Sequence, residues 1–321
     1  METSRRVFLG AVGAAASAAA MSPADSGAAS RPAPRFYVAA VTPCDSKGKF
    51  DDGAYRDMLA YFKDHGADGV LVLGTTGEFP SFSVAERRKI AEVALKHKAG
   101  MQMLVQVGTT NLPETLELLA HAGSNGADGV LCMPPFYFKN PSVEGLARYC
   151  SQVLEATRLP VYFYHYPAMS AISISPELLH KLEHYSNLAG IKDSTGNAQS
   201  YAANLKEFPR LNMMTGTDNN LPAALAAGMG AILVSANIFT RQVAAVFAAH
   251  RAGQDIGPAF AKLREASQLL RVPGGGGAAG IKFAFSGLGI RESYVRLPQL
   301  DLNDQQKAQL RERFAQLKQV V

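Results

Sequence analysis

The chain has 321 residues, 47% hydrophobic and 18% charged, with no tract long and apolar enough to form a separate membrane domain. Its net charge is +5, of which the first 35 residues supply +2 through Arg5, Arg6, Arg31 and Arg35 against Glu2 and Asp25. The remaining +3 is scattered among acids, with no concentrated basic stripe of the kind that nucleic-acid binding requires.

Ser4-Arg5-Arg6-Val7-Phe8-Leu9 matches the twin-arginine export consensus, and a weakly apolar Ala/Gly-rich run follows to Ala20. Gly10, Gly13 and the alanines make that run a poor membrane anchor. Residues 1–35 are therefore read as an export signal and linker, placing the rest in the periplasm with no stable membrane insertion. The three cysteines, Cys44, Cys132 and Cys150, lack metal-ligand spacing and leave an odd thiol after any pairing. Cys132 falls inside an apolar strand, where it reads as core packing.

From residue 36 onward, short apolar runs alternate with amphipathic helical patterns. The runs cover residues 36–42, 69–73, 103–107, 129–133, 160–164, 189–192, 211–215 and 231–235. Most are near-continuously apolar, as parallel strands covered on both faces are. Helix starts are visible between them: Ser83-Val84-Ala85-Glu86 is a capping box, and Ser175-Pro176 puts a cap before a proline at the first helical position. Gly66-Ala67-Asp68-Gly69-Val70-Leu71 recurs letter for letter at residues 126–131, and Gly228-Met229-Gly230-Ala231-Ile232-Leu233 is a looser third copy. Each copy reads as a helix C-cap glycine leading into a strand. Eight such units imply an α/β fold, a closed (β/α)8 barrel over residues 36–250, with an open doubly wound sheet as the alternative. Residues 251–321 show no strand pattern and read as a C-terminal helical extension, interrupted by Pro273-Gly274-Gly275-Gly276-Gly277.

In a barrel, reactive side chains belong at the C-terminal ends of strands. Lys192 ends strand six in Leu188-Ala189-Gly190-Ile191-Lys192-Asp193, and is either a structural ion-pair lysine or an amine held for reaction. Tyr164 ends strand five, one strand-helix-strand step earlier. That step sets a phenol beside an amine on one rim, as carbonyl chemistry through a Schiff base requires. After strand two, Gly74-Thr75-Thr76-Gly77-Glu78 is either a plain βα turn or a cradle of N–H groups and hydroxyls for a small carboxylate. Pro134-Pro135-Phe136-Tyr137 follows strand four, and Tyr164-His165-Tyr166-Pro167 closes strand five.

Taken in order, Gly74-Thr75-Thr76-Gly77-Glu78, Tyr164-x-x-Pro167 and Gly190-Ile191-Lys192 resemble the dihydrodipicolinate synthase / N-acetylneuraminate lyase superfamily of class I, Schiff-base aldolases. Val41-Thr42-Pro43 and Arg296-Leu297-Pro298 extend the resemblance from about Tyr37 to Pro298. It implies that Lys192 forms an imine with the keto carbon of pyruvate or another 2-oxo acid, with no metal or other cofactor. Tyr164 would donate and accept the proton, Thr75 would relay it, and Thr76 with Gly74 and nearby backbone would clamp the carboxylate. Gly216 and Ile232 complete the candidate substrate-binding set. Tyr137 matches a tyrosine contributed across a subunit interface, which implies a homodimer or homotetramer.

The chain also departs from the family pattern. Where the synthases carry an arginine for the second substrate's carboxylate, Met169 stands, and a thioether cannot hold a carboxylate. His165 replaces a frequent asparagine and either contacts a substrate hydroxyl or packs. Reversible carbon–carbon cleavage is therefore expected, with condensation or dehydration on the same imine as alternatives. An exported binding protein for 2-oxo acids, without catalysis, is the reading from a different class. Two further patterns carry little. His180-Lys181-Leu182-Glu183-His184 has the spacing of an inverted zincin motif, but on an outer helix. Gly280-Ile281-Lys282 after the glycine run is not a P-loop, and a loop over the barrel mouth is expected there.

Overall fold

Residues 33–269 and 277–320 are described in the computed structural model; the twin-arginine stretch and the glycine run as far as Gly276 lie outside them.

The apolar runs form eight short parallel strands: β1 (Phe36–Ala39), β2 (Gly69–Val72), β3 (Gln102–Gln106), β4 (Gly129–Cys132), β5 (Val161–His165), β6 (Leu188–Asp193), β7 (Asn212–Thr215) and β8 (Gly230–Leu233). Each pairs with its sequence neighbours and β8 returns to β1, so the sheet is a closed barrel and the open doubly wound alternative is excluded. Closure leaves no sheet edge, and both faces of every strand are covered, which is why the strands read as unbroken apolar runs.

The connecting helices are α1 (Asp52–Asp64), α2 (Val84–Lys96), α3 (Leu112–Ser124), α4 (Val143–Glu155), α5 (Pro167–Ser170), α6 (Pro176–Leu182), α7 (Ala198–Glu207), α8 (Leu221–Ala226) and α9 (Thr240–Arg251). After them come α10 (Gly257–Leu269), α11 (Gly277–Gly287) and α12 (Asp304–Val320). Gly280-Ile281-Lys282 therefore lies within a helix, where a loop was expected. The capping box at Ser83 forms in both directions: Glu86 N donates to Ser83 Oγ at 3.3 Å, and Ser83 N donates to Glu86 Oε2 at 2.8 Å. Ser175 accepts from Leu178 N at 3.2 Å, with Pro176 in the first turn as expected.

The expected strands one and eight run past the true ladder, and one buried side chain explains why. Asn237 Nδ2 donates to Ala39 O at 2.8 Å and Val234 O at 2.9 Å, while its Oδ1 accepts from Val41 N at 3.1 Å. Backbone groups that would have extended the ladder are satisfied by this amide instead.

Inside the barrel, Gly190 lets β6 and β7 approach closely. A Cβ there would overlap the Asn212 carbonyl oxygen and lie 2.7 Å from its carbon, both backbone atoms that cannot rotate away. Gly190→Ala should therefore destabilise the fold by about 3 kcal/mol. Urea unfolding would show this as a lower midpoint at unchanged slope, and a midpoint equal to wild type would refute the close approach.

Candidate active site

Tyr164 and Lys192 are direct register partners across β5 and β6, so their side chains leave the sheet on the same face at the same level. They are only 3% and 4% exposed, and Lys192 Nζ sits 4.2 Å from the centroid of the Tyr164 ring. The phenol keeps the amine in place through its electron-rich face and leaves its own hydroxyl free for other partners. Ser194 supplies one: its Oγ donates to the Tyr164 hydroxyl at 3.2 Å. Sequence reasoning missed Ser194, although it stands two residues beyond Lys192 and so continues the same face of the chain.

Gly216, after β7, makes room for this trio. A Cβ at that position would overlap Ser194 Oγ and lie 3.2 Å from Lys192 Cε. Ile232 is fully buried on β8 opposite Tyr37 of β1.

The turn after β2 is held at both ends by non-glycine residues in the left-handed region, Leu73 with φ 59° and Glu78 with φ 56°. Glu78 N donates to Thr75 O at 3.0 Å, and Thr42 Oγ1 donates to Gly77 O at 2.9 Å, which ties Val41-Thr42-Pro43 to the turn. Gly74 is buried against Leu71, and Thr76 is half-buried. Thr75 Oγ1 is buried with no hydrogen-bond partner among the described residues. A buried hydroxyl without a partner is costly, and a substrate or relayed proton at this rim would satisfy it.

His165 lies elsewhere. Successive strand residues point to opposite faces, so with Tyr164 facing inward, His165 faces the helical layer. There its Nδ1 accepts from Ile174 N at 3.0 Å, and it lines a small cavity with Asp193, Tyr201 and Asn204. Burial holds its imidazole below the usual histidine range, with the Asp193 carboxylate pulling weakly the other way. Tyr137 is 73% exposed, and its ring packs edge-on against Phe138 at 5.4 Å. Behind it, Phe136 packs on Phe79 at 5.9 Å, and the buried Arg87 guanidinium covers Phe79 at 5.2 Å. Burial lowers Arg87 to about 10, and its Nη2 donates to Gln106 O at 2.7 Å, which pins the end of β3. His180 of the zincin-like pattern is on the surface, its ring nitrogens 3.1 Å from Glu183 and 2.7 Å from Glu207. Those two carboxylates raise its pKa.

A parallel eight-stranded barrel carrying a buried amine beside a phenol at its C-terminal rim suits carbonyl chemistry through a lysine Schiff base, and the family match makes the protein a class I carbon–carbon lyase acting on a pyruvate-type 2-oxo acid. Residues 33–317 match the model of the Dihydrodipicolinate synthetase family, and the chain belongs to that family. It is 35% identical over 294 residues to a 4-hydroxy-tetrahydrodipicolinate synthase of Acidothermus cellulolyticus, covering 89% of this chain and 93% of that one. An uncharacterized DapA-like lyase of Chloroflexus aurantiacus is 32% identical over 293 residues, with 88% and 97% covered. The solved structure of YagE, a prophage protein from E. coli K12 in complex with pyruvate, superposes with a TM-score of 0.81 at 29% identity, covering 89% of this chain and 98% of that one.

Proposed function

We propose that the enzyme reversibly cleaves a 4-hydroxy-2-oxo acid into pyruvate and an aldehyde that carries no carboxylate at the Met169 position. The stacked, buried Lys192–Tyr164 pair, with Ser194 on the phenol, is the observation that carries this reading. The neutral Lys192 amine adds to C2, and the carbinolamine loses its oxygen as water with a proton from Tyr164. The C3–C4 electron pair then flows into the protonated imine while Tyr164, now phenolate, takes the proton of the C4 hydroxyl. The aldehyde leaves, the enamine carbon is protonated, and hydrolysis returns pyruvate and the free lysine. Thr75 and Ser194 are the two hydroxyls that carry protons to and from Tyr164, and Thr76 with the turn's N–H groups holds the carboxylate.

Met169 supports the choice of aldehyde. It lies on α5 directly after β5 and is 55% exposed, a thioether where carboxylate recognition needs a cation. A panel of 2-keto-3-deoxy sugar acids, other hydroxy-oxo acids, sialic acid and aspartate semialdehyde tests the reading. Release of pyruvate from the sugar-derived or hydroxy-oxo acids is expected, and efficient condensation with aspartate semialdehyde would overturn it.

The active unit is proposed to be at least a dimer, with Tyr137 reaching a neighbour's Tyr164. The exposed Tyr137 and Phe138 rings support this, since two large aromatics 73% exposed suit a partner's surface. Tyr137→Phe and Lys192→Ala subunits, each inactive alone, should regain activity when mixed, because one site of each hybrid is intact. Hybrids confirmed by mass but inactive would make Tyr137 a packing residue. Export is proposed from Ser4-Arg5-Arg6, and among the described residues no helix is long and apolar enough to cross a membrane. Replacing Arg5 and Arg6 with lysine should shift the protein out of the periplasmic fraction; unchanged fractionation would refute the signal.

A further inference from the structure

The Glu78–Lys282 ion pair joins the last residue of the Gly74–Glu78 turn to α11, and neither side chain is exposed at all. Lys282 Nζ stands 2.5 Å from Glu78 Oε1. Each partner makes a second bond: Arg296 N donates to Glu78 Oε2 at 2.9 Å, and Lys282 Nζ donates to Tyr294 O at 2.7 Å. Three segments distant in sequence therefore meet at one carboxylate. Arg296 adds a second fastening, its guanidinium 4.6 Å from the Phe82 ring and 3.0 Å from Glu86 Oε1.

We propose that this pair is a positioning device through which the C-terminal helices hold Thr75 and the carboxylate-binding turn in register with the Lys192 imine. The proposal rests on the imine chemistry given above. Charge buried in pairs is a poor source of stability, since apolar replacements of the same volume are often neutral or stabilising. Its place in the fold shows what it contributes instead. Glu78 has a φ of 56°, an unfavourable value for a side chain with a Cβ, and persists there only if its surroundings hold it. Its N–H closes the turn on Thr75 O at 3.0 Å, so fixing the Glu78 side chain fixes the threonine that presents an unpartnered hydroxyl. Neither Glu78 nor Lys282 is assigned a contact with substrate. They act through Thr75 and Thr76, and a turn displaced by about 1 Å is enough to cost on the order of 10²-fold in rate.

The test uses the full chain with Lys282→Met, Glu78→Gln and the double variant, plus Leu310→Ala as a remote control in the C-terminal helices. Lys282→Met leaves a lone buried carboxylate, and should lose both unfolding midpoint and activity. The double variant carries no lone charge, and should recover most of the midpoint. Its kcat should nevertheless stay about 10²-fold low with a raised KM for the 2-oxo acid, because the turn has lost its link to α11. Leu310→Ala, in a buried position, should lower the midpoint and leave kcat unchanged. A double variant with wild-type kcat, or a control that loses as much activity as the pair variants, would overturn the proposal. Failure of all three pair variants to fold would overturn it equally, because the pair would then be purely structural. Trapping pyruvate on the wild-type protein with borohydride separates this from the underlying chemistry. Without an adduct at Lys192 the imine reading itself fails, whereas an adduct with unimpaired variants refutes only the positioning role.

Discussion

Lys192→Ala should abolish the stable adduct that pyruvate and borohydride leave on the protein, and lower kcat/KM by on the order of 10³-fold or more, about 4 kcal/mol of transition-state stabilisation. In the proposed mechanism the amine is the nucleophile and the imine it forms is the electron sink, so no step of the cleavage should survive its loss. Lys282, which is also buried, is ion-paired with Glu78 and cannot stand in for it. The fold should tolerate the change, because alanine leaves no unpaired charge behind. Peptide mapping of the reduced wild-type adduct locates the attachment. Labelling that persists in Lys192→Ala, or maps to another residue, removes Lys192 from the mechanism.

Tyr164→Phe should retain the ring beneath the amine but lower kcat by about 10²- to 10⁴-fold, the usual worth of a positioned general acid–base group. The stacking at 4.2 Å depends on the ring, whereas the proposed proton transfer depends on the hydroxyl that accepts from Ser194. Imine formation should therefore slow without disappearing, and borohydride should still label Lys192 after long incubation. Single-turnover trapping rates distinguish the steps. A variant that cleaves its substrate at nearly the wild-type rate would show that Ser194 or Thr75 moves the proton unaided.

Much of this was legible in the sequence because a buried parallel strand has no polar face to hide. Each expected run overlaps an observed strand, and the largest errors fall where backbone groups leave the ladder, after Ala39 toward Asn237 and after Leu233 into the Ser235–Asn237 turn. Lys192, Tyr164 and Thr75 stood out because polar side chains at the ends of apolar strands are conspicuous. Two-residue periodicity already assigns His165 to the face opposite Tyr164, and the same rule assigns Ser194 to the face of Lys192. The partnership of Glu78 with Lys282 was not legible. Nothing local distinguishes a lysine in Gly280-Ile281-Lys282 from a solvated one, and only the folded chain brings α11 against the turn after β2.

The amide of Asn237 has a consequence for synthesis of the chain. Val41, which it anchors, lies 196 residues earlier, and the strand that completes the ring beside β1 begins only at Gly230. As the chain leaves the ribosome, β1 waits with one flank unpaired while the rest of the barrel is made. Contacts that span so much sequence form slowly, so this interval is long compared with the folding of any single helix. A nascent chain stalled before Gly230 has no eighth strand to seal it. It presents open, apolar strand edges to its neighbours, as self-association requires.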